Sequence, residues 1–63
     1  MANPLLGLRQ RREFHGLTQG AAAAIIGVNQ GHYRKIEMGE VRLDVHRAHL
    51  LAQALDCSIE QLL

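Results

Sequence analysis

Recognition chemistry in this chain is concentrated in one short stretch, residues 29–38. Gln30 offers an amide with both donor and acceptor, Arg34 a fork of donors, and Lys35 a mobile positive charge. At helical spacing these three fall largely on one face, while Tyr33 and Ile36 fall on the other. A helix buried on one side and set with Gln, Arg and Lys on the other suits the major groove of DNA. Such side chains reach base edges and phosphates from a helix of that diameter.

The elements that must hold this helix are marked by their ends. Residues 18–39 read as two short helices joined by a tight turn. Thr18 is an N-cap, its hydroxyl accepting from an unpaired N–H of the first turn. Ala21, Ala22, Ala23 and Ala24 strongly favour helix. Gly27 can take the left-handed conformation that ends it, and Asn29 caps the next helix, which Gly39 closes. Upstream, Asn3 and Pro4 are expected to open a first helix that runs to about His15 and stops at Gly16. Gly7 predicts a frayed first turn there. Downstream, Asp44 caps a helix to about Leu55 with a core stripe of Val45, Ala48, Leu51, Ala52 and Leu55. Ser58 with Gln61 three residues on fits a capping box for a last helical turn. The expected architecture is all-α: five helices, no strand, one domain over residues 1–63.

The totals bound the function. A chain of 63 residues makes one domain at most and buries a small core, so association with a second copy would help it. The hydrophobic share of 48% argues against disorder, and with 3% aromatic residues the core must come from Leu, Ile, Val and Ala. No apolar run approaches membrane-span length and no secretory signal pattern opens the chain, so a cytoplasmic location is expected. Cys57, a single cysteine, is read as a small core residue. The net charge of +1 says little, but all seven basic residues lie at or before Arg47 and Asp56 and Glu60 follow them. That asymmetry suits one-sided docking on a polyanion; the alternative is a set of solvated helix charges.

Several short runs, in this order and spacing, resemble the phage-repressor helix-turn-helix family (Cro/CI-like, XRE-like). They are Gly16-Leu17-Thr18-Gln19, Ile26-Gly27-Val28-Asn29-Gln30 and Ile36-Glu37-Met38-Gly39. Ala52-Gln53-Ala54-Leu55 and Ser58-Ile59-Glu60-Gln61-Leu62-Leu63 extend the match, which runs from about Leu8 to Leu63. The resemblance implies a lambda-repressor-like domain whose second motif helix lies in the major groove.

Roles follow from the resemblance position by position. Gln30 stands at the end that enters deepest and can bond adenine through N6 and N7. Arg34, one turn on, is matched to guanine, and Lys35 to a base or a phosphate. Gly31 replaces a side chain that many relatives carry, which removes a contact or lets the backbone come closer, and His32 is a further candidate for a base, a thymine methyl or a phosphate. Gln19 donates to a phosphate and braces the next side chain along. Asn29, at a helix N-terminus, and Arg42, in the loop after the recognition helix, are expected at phosphates, with Arg9, Arg11 and Arg47 as further candidates. Arg12 shares an apolar face with Leu5 and Leu8 and needs a partner. Relatives carry a partly buried ion pair whose positions here are Arg12 and Glu37; a phosphate contact by Arg12 is the alternative. Relatives also dimerise two-fold through the end of the fourth helix and the C-terminal segment. Leu50, Ile59, Gln61, Leu62 and Leu63 are the corresponding candidates for an isologous patch. Ile25 stands where the family pattern is usually polar and has no assigned role.

His46 and His49 are one helical turn apart, but a structural zinc site needs four ligands, so no metal or other cofactor is expected. No nucleophile–base–orienter arrangement is readable, and enzyme chemistry is not expected. The resulting expectation is a sequence-specific, double-stranded-DNA-binding regulator, acting as a homodimer on a near-palindrome. Repression by promoter occlusion is the expected mechanism, since no separate effector domain is readable. Three alternatives stay open. One is the controller of a compact gene module, such as a phage or restriction–modification system. Another is an antitoxin or adaptor whose main task is to bind a protein partner, for which no extra strand or tail is readable. The third is a piece of a larger regulator, against which the initial Met and the lack of a linker weigh.

Overall fold

Helices of seven to ten residues are too short to stand without end contacts, and three of the four here are capped at their start by a local side chain. The computed structural model describes residues 3–63. It contains α1 (Leu6–Phe14), α2 (Gln19–Ile25), α3 (Gln30–Glu37) and α4 (Val45–Ala54), then a 3₁₀ turn at Glu60–Leu62. Among the described residues there is no strand, and no helix is long and apolar enough to cross a membrane.

Three N-caps form as the residue types dictate. Thr18 Oγ1 accepts from the Ala21 N–H at 3.0 Å, and Asn29 Oδ1 accepts from the His32 N–H at 2.7 Å. Asp44 Oδ1 accepts from the Arg47 N–H at 2.7 Å. That backbone bond, joined by the Arg47 guanidinium, holds the Asp44 carboxyl below the usual carboxylate range. The C-termini use the left-handed conformation. Gly27 closes α2 at φ +70° and Gly39 closes α3 at φ +79°. At the end of α4 a non-glycine does the same work: Asp56 sits at φ +51°, and the Cys57 N–H returns to the Ala52 carbonyl at 3.0 Å.

Three expected elements differ. The fifth helix is only the 3₁₀ turn. Half of its capping box forms, with Gln61 Oε1 accepting from the Ser58 N–H at 2.9 Å. The i→i+3 bonds from Gln61 to Ser58 and from Leu62 to Ile59 tighten the segment and bring Leu62 into the core. The first helix begins at Leu6, not at Asn3, and Leu5 provides no side-chain cap. The reason is tertiary: the Leu5 N–H is spent on the Glu37 carbonyl at 2.8 Å, so the chain enters extended along the end of α3. Third, Val45 is 71% exposed. The first turn of α4 is held by polar contacts instead, because Arg47 reaches both Asp44 Oδ2 (2.7 Å) and the Ile26 carbonyl (3.4 Å).

The core is Leu8 from α1, Ala22, Ala23 and Ile26 from the α2 segment, Tyr33 and Ile36 from α3, Leu51, Ala52 and Leu55 from α4, and Leu62. The small Ala22 and Ala23 let α2 pack closely on both α3 and α4. Cys57, Ile25 and Leu50 are half-buried against this cluster. Gly7 explains the contact between α1 and the 3₁₀ turn. A Cβ at Gly7 would collide with the Gln61 carbonyl oxygen, so the glycine buys close approach rather than a frayed end.

Candidate nucleic-acid interface

The outward face of α3 is defined by what its inward face must hold. Tyr33 and Ile36 are buried in the core, and Glu37 is buried in an ion pair. Glu37 Oε2 and Oε1 accept from Arg12 Nε and Nη2 at 3.1 and 3.0 Å, while Arg12 Nη1 donates to the Leu17 carbonyl at 2.8 Å. This fork ties α1, the turn before α2 and the C-terminal end of α3 into one unit. The Glu37 hydrogen bond and charge raise the Arg12 pKa further, against the cost of burial. The buried pair expected from the resemblance is thus present in full.

Opposite that face, Gln30, Gly31, Arg34 and Lys35 are exposed. Among the described residues no carboxylate pairs with Arg34, Lys35 or Arg42, so all three charges face solvent. At about 100° per residue, Gly31 and Lys35 lie near the middle of the face, while Gln30 and Arg34 lie toward α2. Gln30 Oε1 lies 3.6 Å from where a Cβ on Gly20 would stand. Arg34 lines a groove with Leu6, Arg9, Gln19 and Met38. The structure therefore brings Gln19, Arg34 and Arg9, from three helices, to one groove.

The remaining expected residues are spread around this centre. Asn29 is exposed, and its side-chain oxygen is occupied by its capping bond. His32 is half-buried at the flank of α3, and Arg11 is half-buried on α1. Arg9 is exposed and pairs with Glu13 at 3.3 Å, a surface contact of small worth. Arg42 is exposed in the loop after α3. Arg47 is committed to the α4 cap and the end of α2.

Two residues were missed from sequence. Met38, 44% exposed, shares the outward face, and its spacing of seven from Gly31 was the available signal. Gly20 faces the Gln30 side chain, and only the packing of α2 on α3 reveals that.

One of the expected dimer residues, Leu62, requires a correction. Leu62 is 0% exposed and belongs to this chain's own core, because the 3₁₀ turn folds it inward against α1. Ile59 is half-buried and lines a groove with His49, Gln53 and Cys57. Leu63, 69% exposed, lies instead beside Val41, Arg42 and Leu43. Gln61 is exposed.

Two short helices across a glycine turn, with a braced second helix presenting unpaired basic and amide groups, define a DNA-binding helix-turn-helix regulator of the XRE-like kind. The chain belongs to the helix-turn-helix family, whose model matches residues 8–62. Its structure is similar to that of the restriction-modification controller protein C.AhdI from Aeromonas hydrophila. The TM-score is 0.78 at 28% identity, covering 90% of this chain and 86% of that one. No curated protein sequence matches it.

Proposed function

We propose that this protein is a transcriptional repressor that binds a near-palindromic operator as a homodimer, with α3 in the major groove of each half-site. The observation that carries the reading is the division of α3: Tyr33, Ile36 and Glu37 buried and braced, Gln30, Arg34 and Lys35 exposed and unpaired by carboxylates. A rigid helix with planar donors on its free face meets the geometry of direct readout.

In this reading Gln30, Arg34 and Lys35 address base edges, with Gly31 admitting the backbone and His32 at the flank. Gln19, Asn29, Arg42, Arg9 and Arg11 address phosphates, which fix register and affinity but not sequence. The groove shared by Gln19, Arg9 and Arg34 supports a continuous path from backbone contact to base contact. Dimerisation uses the surface around Leu50, Ile59 and Gln61. Two linked half-sites raise affinity without new kinds of contact. The likeness to a restriction-modification controller protein supports control of a compact gene module.

The test is selection from a random duplex library at near-physiological salt. Enrichment of a near-palindrome, with half-site centres about 34 Å apart, is expected. Enrichment of no motif, with binding that vanishes as salt rises, would leave only the phosphate contribution and overturn the reading.

A further inference from the structure

Glycine in the first turn of a helix lowers helix stability and usually has a compensating reason. Gly20 is the second residue of α2. It faces α3, and a Cβ there would have the Gln30 side chain as its nearest neighbour. A Cβ at Gly20 would lie 3.6 Å from Gln30 Oε1 and 3.9 Å from Thr18 Oγ1. The Gln30 side-chain oxygen therefore lies within ordinary contact distance of where a Gly20 side chain would begin. Gly20 is half-buried, whereas Gln30 is exposed at the first position of α3.

We propose that Gly20 is a specificity-determining position: by carrying nothing beyond the Cβ position, it leaves the space in which the Gln30 amide lies when directed toward one base. This rests on the DNA reading above and deepens it. A glutamine side chain has three rotatable bonds, and its bidentate pair with a base requires both amide atoms in one plane. Ordering such a chain at the moment of binding costs entropy, and a seat that holds it beforehand removes part of that cost. The neighbour of the seat is the capped start of α2, fixed by the Thr18 bond to Ala21, so the seat is itself rigid. A single Cβ at 3.6 Å is an ordinary contact, so alanine fits and leaves the amide where it is. A longer side chain directed toward α3 competes with the amide for the same space.

The experiment is a series at this position, Gly20→Ala and Gly20→Leu, each made with Gln30 and with Gln30→Ala. Both residues favour helix over glycine, so folding is retained and is checked by thermal melting. Base preference is read from the enriched motif and from affinities for single-base operator variants. With Gln30 present, Gly20→Leu is expected to lower discrimination at one base pair of each half-site by about ten-fold. Gly20→Ala changes it little. Affinity for random DNA and its salt dependence stay as they are. In the Gln30→Ala background Gly20→Leu has no further effect on preference.

A second measurement needs no DNA: nuclear Overhauser contacts between the Gly20 α-protons and the Gln30 side-chain amide in the free protein. Absence of those contacts overturns the proposal. So does a Gly20→Leu effect that is unchanged without the Gln30 amide, or no effect at all in a protein that enriches a motif. If the contacts are present but the wild-type protein enriches no motif, the DNA reading fails and takes the specificity role with it.

Discussion

The two carboxylate oxygens of Glu37 and the guanidinium of Arg12 meet at 3.0 and 3.1 Å across 25 residues of sequence. The pair joins α1 to the helix proposed to enter the groove. A chain of 63 residues has a total stability on the order of 3–9 kcal/mol. Glu37→Ala strands the buried Arg12 charge and should cost about 3–5 kcal/mol, a large share of that total. Urea unfolding checks it, and an unchanged midpoint would contradict the structural role. The double replacement Arg12→Met with Glu37→Leu removes both charges and should stay near wild-type stability. If that folded variant loses affinity for random DNA, Arg12 also serves a phosphate.

Arg34 and Arg42 separate readout from anchoring. Arg34→Ala should weaken cognate DNA by about 1–3 kcal/mol and random DNA much less. Arg42→Ala should weaken both alike and flatten the salt slope by about one unit. Titrations on both duplexes at several salt concentrations decide it. Equal losses on both DNAs from both variants would refute the assignment.

Gly7 and Gly31 should respond to alanine with opposite signs. In an open helix, glycine to alanine gains about 0.5–1 kcal/mol. At Gly31 the nearest atom to a new Cβ is Asn29 Oδ1 at 3.5 Å, so the fold should gain that amount. At Gly7 the new methyl meets the Gln61 backbone, and overpacking of about 1–3 kcal/mol should exceed the gain. Thermal melts of the two variants give the comparison; a stabilised Gly7→Ala would show that α1 and the 3₁₀ turn can move apart freely.

Tyr33 carries a buried hydroxyl that lies near Glu37 and Arg12 but makes no hydrogen bond of good geometry among the described residues. Burial, with the nearby Glu37 charge, raises its pKa above the usual tyrosine value. An unpaired buried hydroxyl costs about 1–3 kcal/mol, so Tyr33→Phe should match or exceed wild-type stability. The raised pKa also sets a direction with pH. The unfolded chain ionises this tyrosine above about pH 10, where the folded protein keeps it protonated. Wild-type stability therefore holds below that pH and falls above it, and Tyr33→Phe should lose that part of the alkaline decline. A Tyr33→Phe variant that melts well below wild type would mean that the hydroxyl makes a stabilising bond.

The sequence by itself determined the parts whose causes are local. Thr18, Asn29 and Asp44 cap their helices through atoms three residues away, and Gly27 and Gly39 end theirs through their own φ. The polar face of α3 was legible because Tyr33 and Ile36 set the buried side at helical spacing. The Arg12–Glu37 pair was reached only through family resemblance, because 25 residues of separation leave no periodic trace. Tertiary structure decided the rest, wherever a distant backbone group overruled a local preference. The Glu37 carbonyl took the Leu5 N–H and kept Asn3 and Pro4 out of α1. The Gln61 backbone lies where a Cβ of Gly7 would be, so close approach, not fraying, explains that glycine. Leu62 turned inward, while Val45 stayed outside behind the polar contacts of Arg47. The seat of Gln30 on Gly20 belongs to the same class: it exists only because α2 crosses α3 there, and pairing of two helix surfaces is not written in the period of either helix.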